Sequence, residues 1–125
     1  MTELLYRAET FVLIGACYEV YNHMGFGFVE AVYQECLEIE FRQRRVPVLV
    51  QPLIELHYKD ARLEQTYRPD FTCYEKIVLE IKSVSEITDQ HRSQVHNYLK
   101  ATRFRLGLLM NFGAHPKLDY ERIIR

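Results

Sequence analysis

This 125-residue chain contains no tryptophan, three cysteines, four prolines and five glycines, and neither charge is in clear excess. Each shortage excludes something. Cys17, Cys36 and Cys73 are odd in number and share no CxxC spacing, so they build neither a disulfide frame nor a zinc site. They read as small buried hydrophobes in a reducing compartment, which makes the cytoplasm the expected location. No apolar run approaches the ~18 residues that span a bilayer, and Met1-Thr2-Glu3 lacks the basic start of a secretory signal. Neither membrane insertion nor export is expected. Sixteen basic residues against seventeen acidic ones leave a formal charge of −1, whereas a dedicated nucleic-acid binder usually carries a basic excess. The local basic groups, Arg42, Arg44 and Arg45 and then Arg103 and Arg105, read as solvated helix ends or loops. The five histidines form no HExxH or tight Cys/His set, and no serine lies in a GxSxG elbow. Walker and dinucleotide glycine loops are missing too. Zinc hydrolase, serine hydrolase and nucleotide-cofactor chemistries are set aside.

What is present is a core. A hydrophobic content of 48%, with nine Tyr and seven Phe, excludes a mainly disordered chain and suffices without staples. One domain over residues 1–125 is the simplest organisation, with no internal repeat, low-complexity tract or linker. Residues 3–23 place Leu5, Phe11, Val12, Ile14, Gly15, Cys17, Tyr18 and Tyr21 at helical spacing, with Thr2 as N-cap. Met24-Gly25-Phe26-Gly27 should end that helix. A second helix is predicted over 28–44, with Val29, Val32, Cys36, Leu37 and Glu40 along one stripe. After Pro47, residues 48–58 read as a strand in which Pro52 marks an edge or bulge. Lys59-Asp60-Ala61-Arg62 is a candidate hairpin turn, and Leu63 leads on toward a strand at Pro69-Asp70, within a meander of three or four short strands. Thr88 and Asp89 offer caps for a third helix reaching Thr102. A strand over 104–112 and an edge strand over 118–124 complete the chain. The predicted fold class is α/β: a single compact domain with a central mixed β-sheet flanked by helices.

The chemistry concentrates in Tyr67-Arg68-Pro69-Asp70-Phe71 and Ile77-Val78-Leu79-Glu80-Ile81-Lys82. A strand turns successive side chains to opposite faces, so Ile77, Leu79 and Ile81 enter one core while Val78, Glu80 and Lys82 share the other. The short segment between the two stretches can return as a hairpin, which brings Asp70 alongside Glu80. Two carboxylates and an ammonium on one sheet surface are costly without a function or a partner. The alternative is an ordinary amphipathic strand with solvated charges. Glu30 and Tyr33 are neighbours on the second helix, and a first-turn acid such as Glu30 already suits the helix dipole. Gln94 and Tyr98 share a face of the third helix, where packing on the sheet is the simpler reading.

Pro69-Asp70 followed by Glu80-Ile81-Lys82 resembles the PD-(D/E)xK signature of metal-dependent nucleases and nuclease-derived proteins. Gly27-Phe28-Val29-Glu30-Ala31-Val32-Tyr33 resembles the motif that names the GxxExxY family within that superfamily. Gln94-Val95-His96-Asn97-Tyr98 resembles the QxxxY element of its exonuclease-like branch, and Leu106 to Gly113 resembles its last core strand. The resemblance covers nearly the whole chain, with the motifs in the expected order. It implies a restriction-endonuclease-like core and a Mg²⁺ or Mn²⁺ cofactor, ions that take oxygen ligands. It also implies metal ligation by Asp70, Glu80, the Ile81 carbonyl and Glu30, with Glu35 as a lesser candidate. Asp70, Glu80, Lys82, Gln94 and Tyr98 become the catalytic set. Lys82 would act on the attacking water, Gln94 would steady Lys82 or that water, and Tyr98 would back the wall. Arg68 either contacts a phosphate or pairs with Glu64 or Glu80.

Three functions follow. One is a nuclease acting on DNA or RNA, favoured by the complete carboxylate and lysine set. Another is a non-catalytic module of nuclease fold that works with a protein partner, to which the balanced charge points. The third is hydrolysis of a smaller phosphoester. A terminal edge strand also offers a route to a homodimer.

Overall fold

The alternation along residues 77–82 holds in three dimensions and organises the molecule around it. In the computed structural model, residues 4–125 are described. The elements are α1 (Arg7–Met24), α2 (Glu30–Gln43), β1 (Val48–Val50), β2 (Ile54–Tyr58), β3 (Ala61–Tyr67), β4 (Phe71–Cys73), β5 (Ile77–Lys82), α3 (Asp89–Thr102), β6 (Leu106–Asn111) and β7 (Asp119–Ile124). Ile77, Leu79 and Ile81 enter a core shared with α1 and α2, while Val78 enters a second core against Val95 and Leu99 of α3. Both faces of the sheet are covered. Its strand order is β1-β4-β5-β6-β7, with β5 and β6 parallel and the other neighbours antiparallel. A parallel step needs a crossover, and α3 supplies it. The result is an α/β fold with a mixed five-stranded sheet flanked by helices.

Three expectations need correction. Residues 48–58 are not one strand: Gln51 adopts a positive φ of 46°, and the chain breaks before Pro52. β1 therefore joins the large sheet, while β2 pairs with β3 in a separate ribbon instead of a continuous meander. Asp70 is not within a strand but in the bend just before β4. The buried stripe of α2 is Tyr33, Gln34, Leu37 and Phe41, and Val29 is 70% exposed. Aromatic contacts decide that rotation, with Tyr33 stacked on Phe112 at 4.4 Å and Phe41 edge-on to Phe71 at 5.1 Å.

At the amino end, α1 starts at Arg7, and Thr2 and Glu3, expected as cap and first turn, lie outside the described residues. Phe11 faces outward, whereas Leu13, Ala16, Cys17, Val20 and Tyr21 are buried. The third helix begins where its caps suggested. Thr88 precedes it, and the His91 Nδ1 accepts the Thr88 N–H at 3.0 Å. All three cysteines are free thiols; Cys17 and Cys73 are buried, and burial pushes both well above the usual thiol range. Among the described residues, no helix is long and apolar enough to cross a membrane.

The hairpin between β4 and β5 sets the positions of the acidic residues. Phe71 pairs with Leu79 and Cys73 with Ile77, so the next position outward sets Asp70 against Glu80. Its turn uses Tyr74 and Glu75, both at positive φ (55° and 58°), closed by the Lys76 N–H on the Cys73 carbonyl at 3.1 Å. Two such residues match the right-handed twist of the flanking strands.

Candidate active site

Asp70 and Glu80 clasp each other through the backbone. The Asp70 N–H donates to Glu80 Oε1 at 2.6 Å, and the Ile81 N–H donates to Asp70 Oδ2 at 2.7 Å. This leaves Asp70 Oδ1 and Glu80 Oε2 without a hydrogen-bond partner among the described residues. Glu80 is only 4% exposed, so it is no solvated residue of an amphipathic strand. Lys82, two positions on and on the same face, donates from Nζ to Gln94 Oε1 at 3.0 Å. Glu30 Oε1 stands 4.0 Å from the same ammonium. The structure thus brings together Asp70, Glu80, Lys82, Gln94 and Glu30 from β5, α3, α2 and the bend before β4. Tyr98 joins them as a wall, buried edge-on against Tyr67 at 4.8 Å. All of these except Gln94 border a cleft of about 600 Å³, and Gln94 lines the adjoining cleft on the other side of Lys82.

Two further residues shape the cleft, and neither was singled out from the sequence. Gln34, one turn beyond Glu30 on the same face of α2, donates from Nε2 to the Asp70 carbonyl at 3.3 Å. Its Oε1 is buried without a partner among the described residues. The spacing of four from Glu30 was the available signal. Gln51 also serves Asp70: its N–H donates to the Asp70 carbonyl at 3.0 Å, and its own carbonyl accepts Arg68 Nη1 at 3.0 Å. Arg68 is exposed on the cleft rim, and among the described residues it forms no ion pair with Glu64 or Glu80. Glu35 lines the cleft but is exposed.

Local geometry explains how Glu30 arrives there. Gly25 and Gly27 take positive φ values of 77° and 91°, which suit glycine. Tyr33 then pins the loop, its hydroxyl donating to the Gly25 carbonyl at 2.7 Å and accepting the Phe28 N–H at 3.1 Å. The Ser83 hydroxyl donates to the Phe28 carbonyl, tying the start of α2 to the strand end beside Lys82. The glycine and tyrosine of this motif therefore position the acid.

Electrostatics set the acids apart from ordinary carboxylates. Burial pushes Glu80 up to about 8; repulsion from Asp70 adds to this, while the Asp70 N–H and Lys82 oppose it. Asp70 is also raised, by burial first, with the Ile81 N–H pulling it down and Glu30 pushing it up. Folded Glu80 holds its proton more tightly than the unfolded chain does, so the metal-free protein loses stability as pH rises from about 4.5 to about 8. Glu80→Gln removes that loss and should stabilise the metal-free protein by about 2 kcal/mol at pH 8. The measurement is the urea midpoint of both proteins at pH 5 and pH 8. A gap that fails to widen at the higher pH would contradict it.

The sequence matches the PD-(D/E)XK nuclease superfamily over residues 7–123. The chain belongs to that superfamily. Its fold is similar to the crystal structure of SSO0001, with a TM-score of 0.61 and 20% identity over 77% of this chain. The match spans 50% of that longer chain, so it bears on the fold alone and not on a whole-protein activity. Among curated proteins, none matches.

The donor set bears on whether a divalent cation fits. Among the described residues, no three His, Cys, Asp or Glu side chains are grouped closely enough to hold a metal by themselves. Glu30 lies toward Lys82 and the two inner carboxyls lie on backbone amides, because like charges separate when each can find a donor. Yet three oxygens at the cleft, on Asp70, Glu80 and Gln34, have no hydrogen-bond partner among the described residues. Hard cations such as Mg²⁺ take such oxygens and keep several waters, so a complete protein cage is not required. The residues fit.

Proposed function

We propose that this chain is a Mg²⁺- or Mn²⁺-dependent phosphodiesterase that cleaves DNA or RNA, and that it is a member of the GxxExxY family. The observation that carries this reading is the reciprocal clasp of a buried carboxyl, Glu80, and a half-buried one, Asp70, beside an anchored lysine. A fold gains nothing from burying both acids, and Glu80 is displaced to about 8 as a consequence. Asp70 and Glu80 would hold the cation through their remaining oxygens. The Ile81 carbonyl, just past the last β4–β5 pair, and Glu30 complete the proposed ligands. When bound, the ion lowers the pKa of water and offsets charge on the scissile phosphate.

The chain's own groups do the rest. Lys82, held by Gln94, orients the attacking water, takes its proton or stabilises the transition state by its charge. Gln34 Nε2 holds the Asp70 carbonyl and so helps fix the acid, while its Oε1 stays buried without a partner among the described residues. Tyr98 closes the wall behind Glu80, and Arg68 meets a phosphate at the rim.

Mn²⁺ titration by calorimetry tests the proposal. Wild type should bind at millimolar or lower concentrations, and Asp70→Asn should weaken binding by at least ~10-fold while remaining folded. Gln34→Met should weaken it less, without loss of stability, since the Asp70 carbonyl keeps the Gln51 N–H. No heat from wild type, with or without a nucleotide phosphate to complete the site, would defeat the metal-dependent reading.

A further inference from the structure

We infer that a polynucleotide strand, and not a small phosphoester, is held in a groove running from Lys82 across α3 to the β2–β3 ribbon, with Lys100 and Arg103 as its distal phosphate contacts. This rests on the phosphodiesterase reading and adds where the substrate chain lies.

Two further clefts follow the active-site cleft in a row, each sharing wall residues with the one before. A cleft of about 440 Å³ shares Lys82 with the active-site cleft and is bordered by Gln90, Gln94 and Asn97. A third, of about 500 Å³, shares Tyr67 and Asn97 with the second and ends at His57, Lys100 and Arg103. Tyr67, at the end of β3, thus sits where the ribbon meets α3. The shared walls set the three clefts in line, and that line is the path the strand would follow.

Charge argues for what fills it. In the active-site cleft Glu35 and Glu38 add to the three acids already described, against only Arg68 and Lys82. A divalent ion leaves that count still negative, so net charge there does not hold a polyanion. Among the described residues the middle cleft is lined by no acid, and its amides and the Ser93 hydroxyl are uncharged donors. In the distal cleft the one acid, Glu55, is 3.5 Å from Arg62. Among the described residues Lys100 and Arg103 form no ion pair. Cations at the end of a helix are also favoured by its dipole. That preference alone, however, does not require them to border a groove joined to Lys82.

Length separates the substrates. At 1.5 Å per residue, Gln94 and Lys100 are about 9 Å apart along α3, and Arg103 lies further still. A small phosphoester at Lys82 does not reach them; a strand extending past the scissile phosphate does.

The test is the full chain carrying Lys100→Glu and Arg103→Glu, titrated by fluorescence anisotropy with single-stranded DNA and RNA oligonucleotides over a range of salt. Affinity should fall at least ~10-fold, and the slope of log K against log salt should shrink by about 1.5, two phosphate contacts' worth. The circular dichroism spectrum and Mn²⁺ binding should stay as in wild type. Unchanged affinity and slope in a folded double variant would overturn the groove while leaving the phosphodiesterase reading intact. A wild type that binds no Mn²⁺, paired with a double variant that loses oligonucleotide affinity, would overturn that reading and retain the groove.

Discussion

Replacing Lys82 with alanine should lower metal-dependent cleavage by about 10³-fold, with Mn²⁺ affinity changed by no more than about threefold. The asymmetry follows from position. Among the described residues Lys82 is the one ammonium bordering the active-site cleft, and its Nζ is fixed by Gln94 on one side and faces Glu30 on the other. It contributes no oxygen to a cation, so its loss does not dismantle the carboxyl clasp. On the proposed mechanism, what disappears is a positioned charge and proton carrier next to the reacting phosphate, and such groups are typically worth 10²- to 10⁴-fold. Arginine should not rescue the rate, because a planar guanidinium is always protonated and does not share the lysine's compact geometry. Gln94→Ala should fall between, at about tenfold, since the lysine keeps its charge and loses only its anchor. Single-turnover cleavage of a labelled oligonucleotide, with calorimetry alongside, measures both effects. Cleavage by Lys82→Ala at the wild-type rate would remove the lysine from the mechanism.

Gly113→Ala should cost more than about 3 kcal/mol, or prevent folding altogether. A Cβ at this position would lie 2.4 Å from both the N and the O of Val84 and 2.8 Å from the Ser83 carbonyl carbon. Backbone cannot swing aside as a side chain can, and here it is locked. The Asn111 Oδ1 accepts the Val84 N–H and the Gly113 N–H, and Nδ2 donates to the Val84 carbonyl, each at 3.0 Å. Asn111 is wholly buried, so moving Val84 would strand these polar groups away from water. Total stability of a domain is only about 5–15 kcal/mol, which makes such a loss severe. Ser83 and Val84 also follow Lys82 directly, so any relaxation shifts the lysine. A thermal midpoint within about 2 °C of wild type would contradict this packing, since 3 kcal/mol corresponds to roughly 10 °C or more. Gly27→Ala is the useful contrast: no atom lies within 4 Å of its Cβ, and only its φ of 91° is strained.

Legibility followed the range of the forces involved. The period of two in Ile77–Lys82 named the faces of β5 correctly, and the short hairpin segment was enough to set Asp70 opposite Glu80. Thr88 marked the start of α3, and the spacing of Gln94 and Tyr98 put both on the face that reaches β5. Periodicity misjudged α2, where two stripes fit and the aromatic partners Phe112 and Phe71 chose between them. That rotation is what carries Gln34 into the site, and the spacing of four from Glu30 hinted at it without fixing it. Continuous β-propensity likewise hid the break at Gln51, which separates β1 from the ribbon and brings Gln51 to Asp70.

The sequence by itself determined the strand faces, the hairpin and the third helix, and its motifs pointed to the PD-(D/E)XK superfamily. The first three rest on contacts between residues close along the chain. The tertiary structure alone decided that Glu80 is buried far enough to be pushed up to about 8, that Gln34 is left with an oxygen unpartnered among the described residues, and that the cleft at Lys82 and the cleft at Arg103 are separated by a third that shares walls with both. Burial, desolvation and cleft shape are set by segments remote in sequence, and no local spacing encodes them.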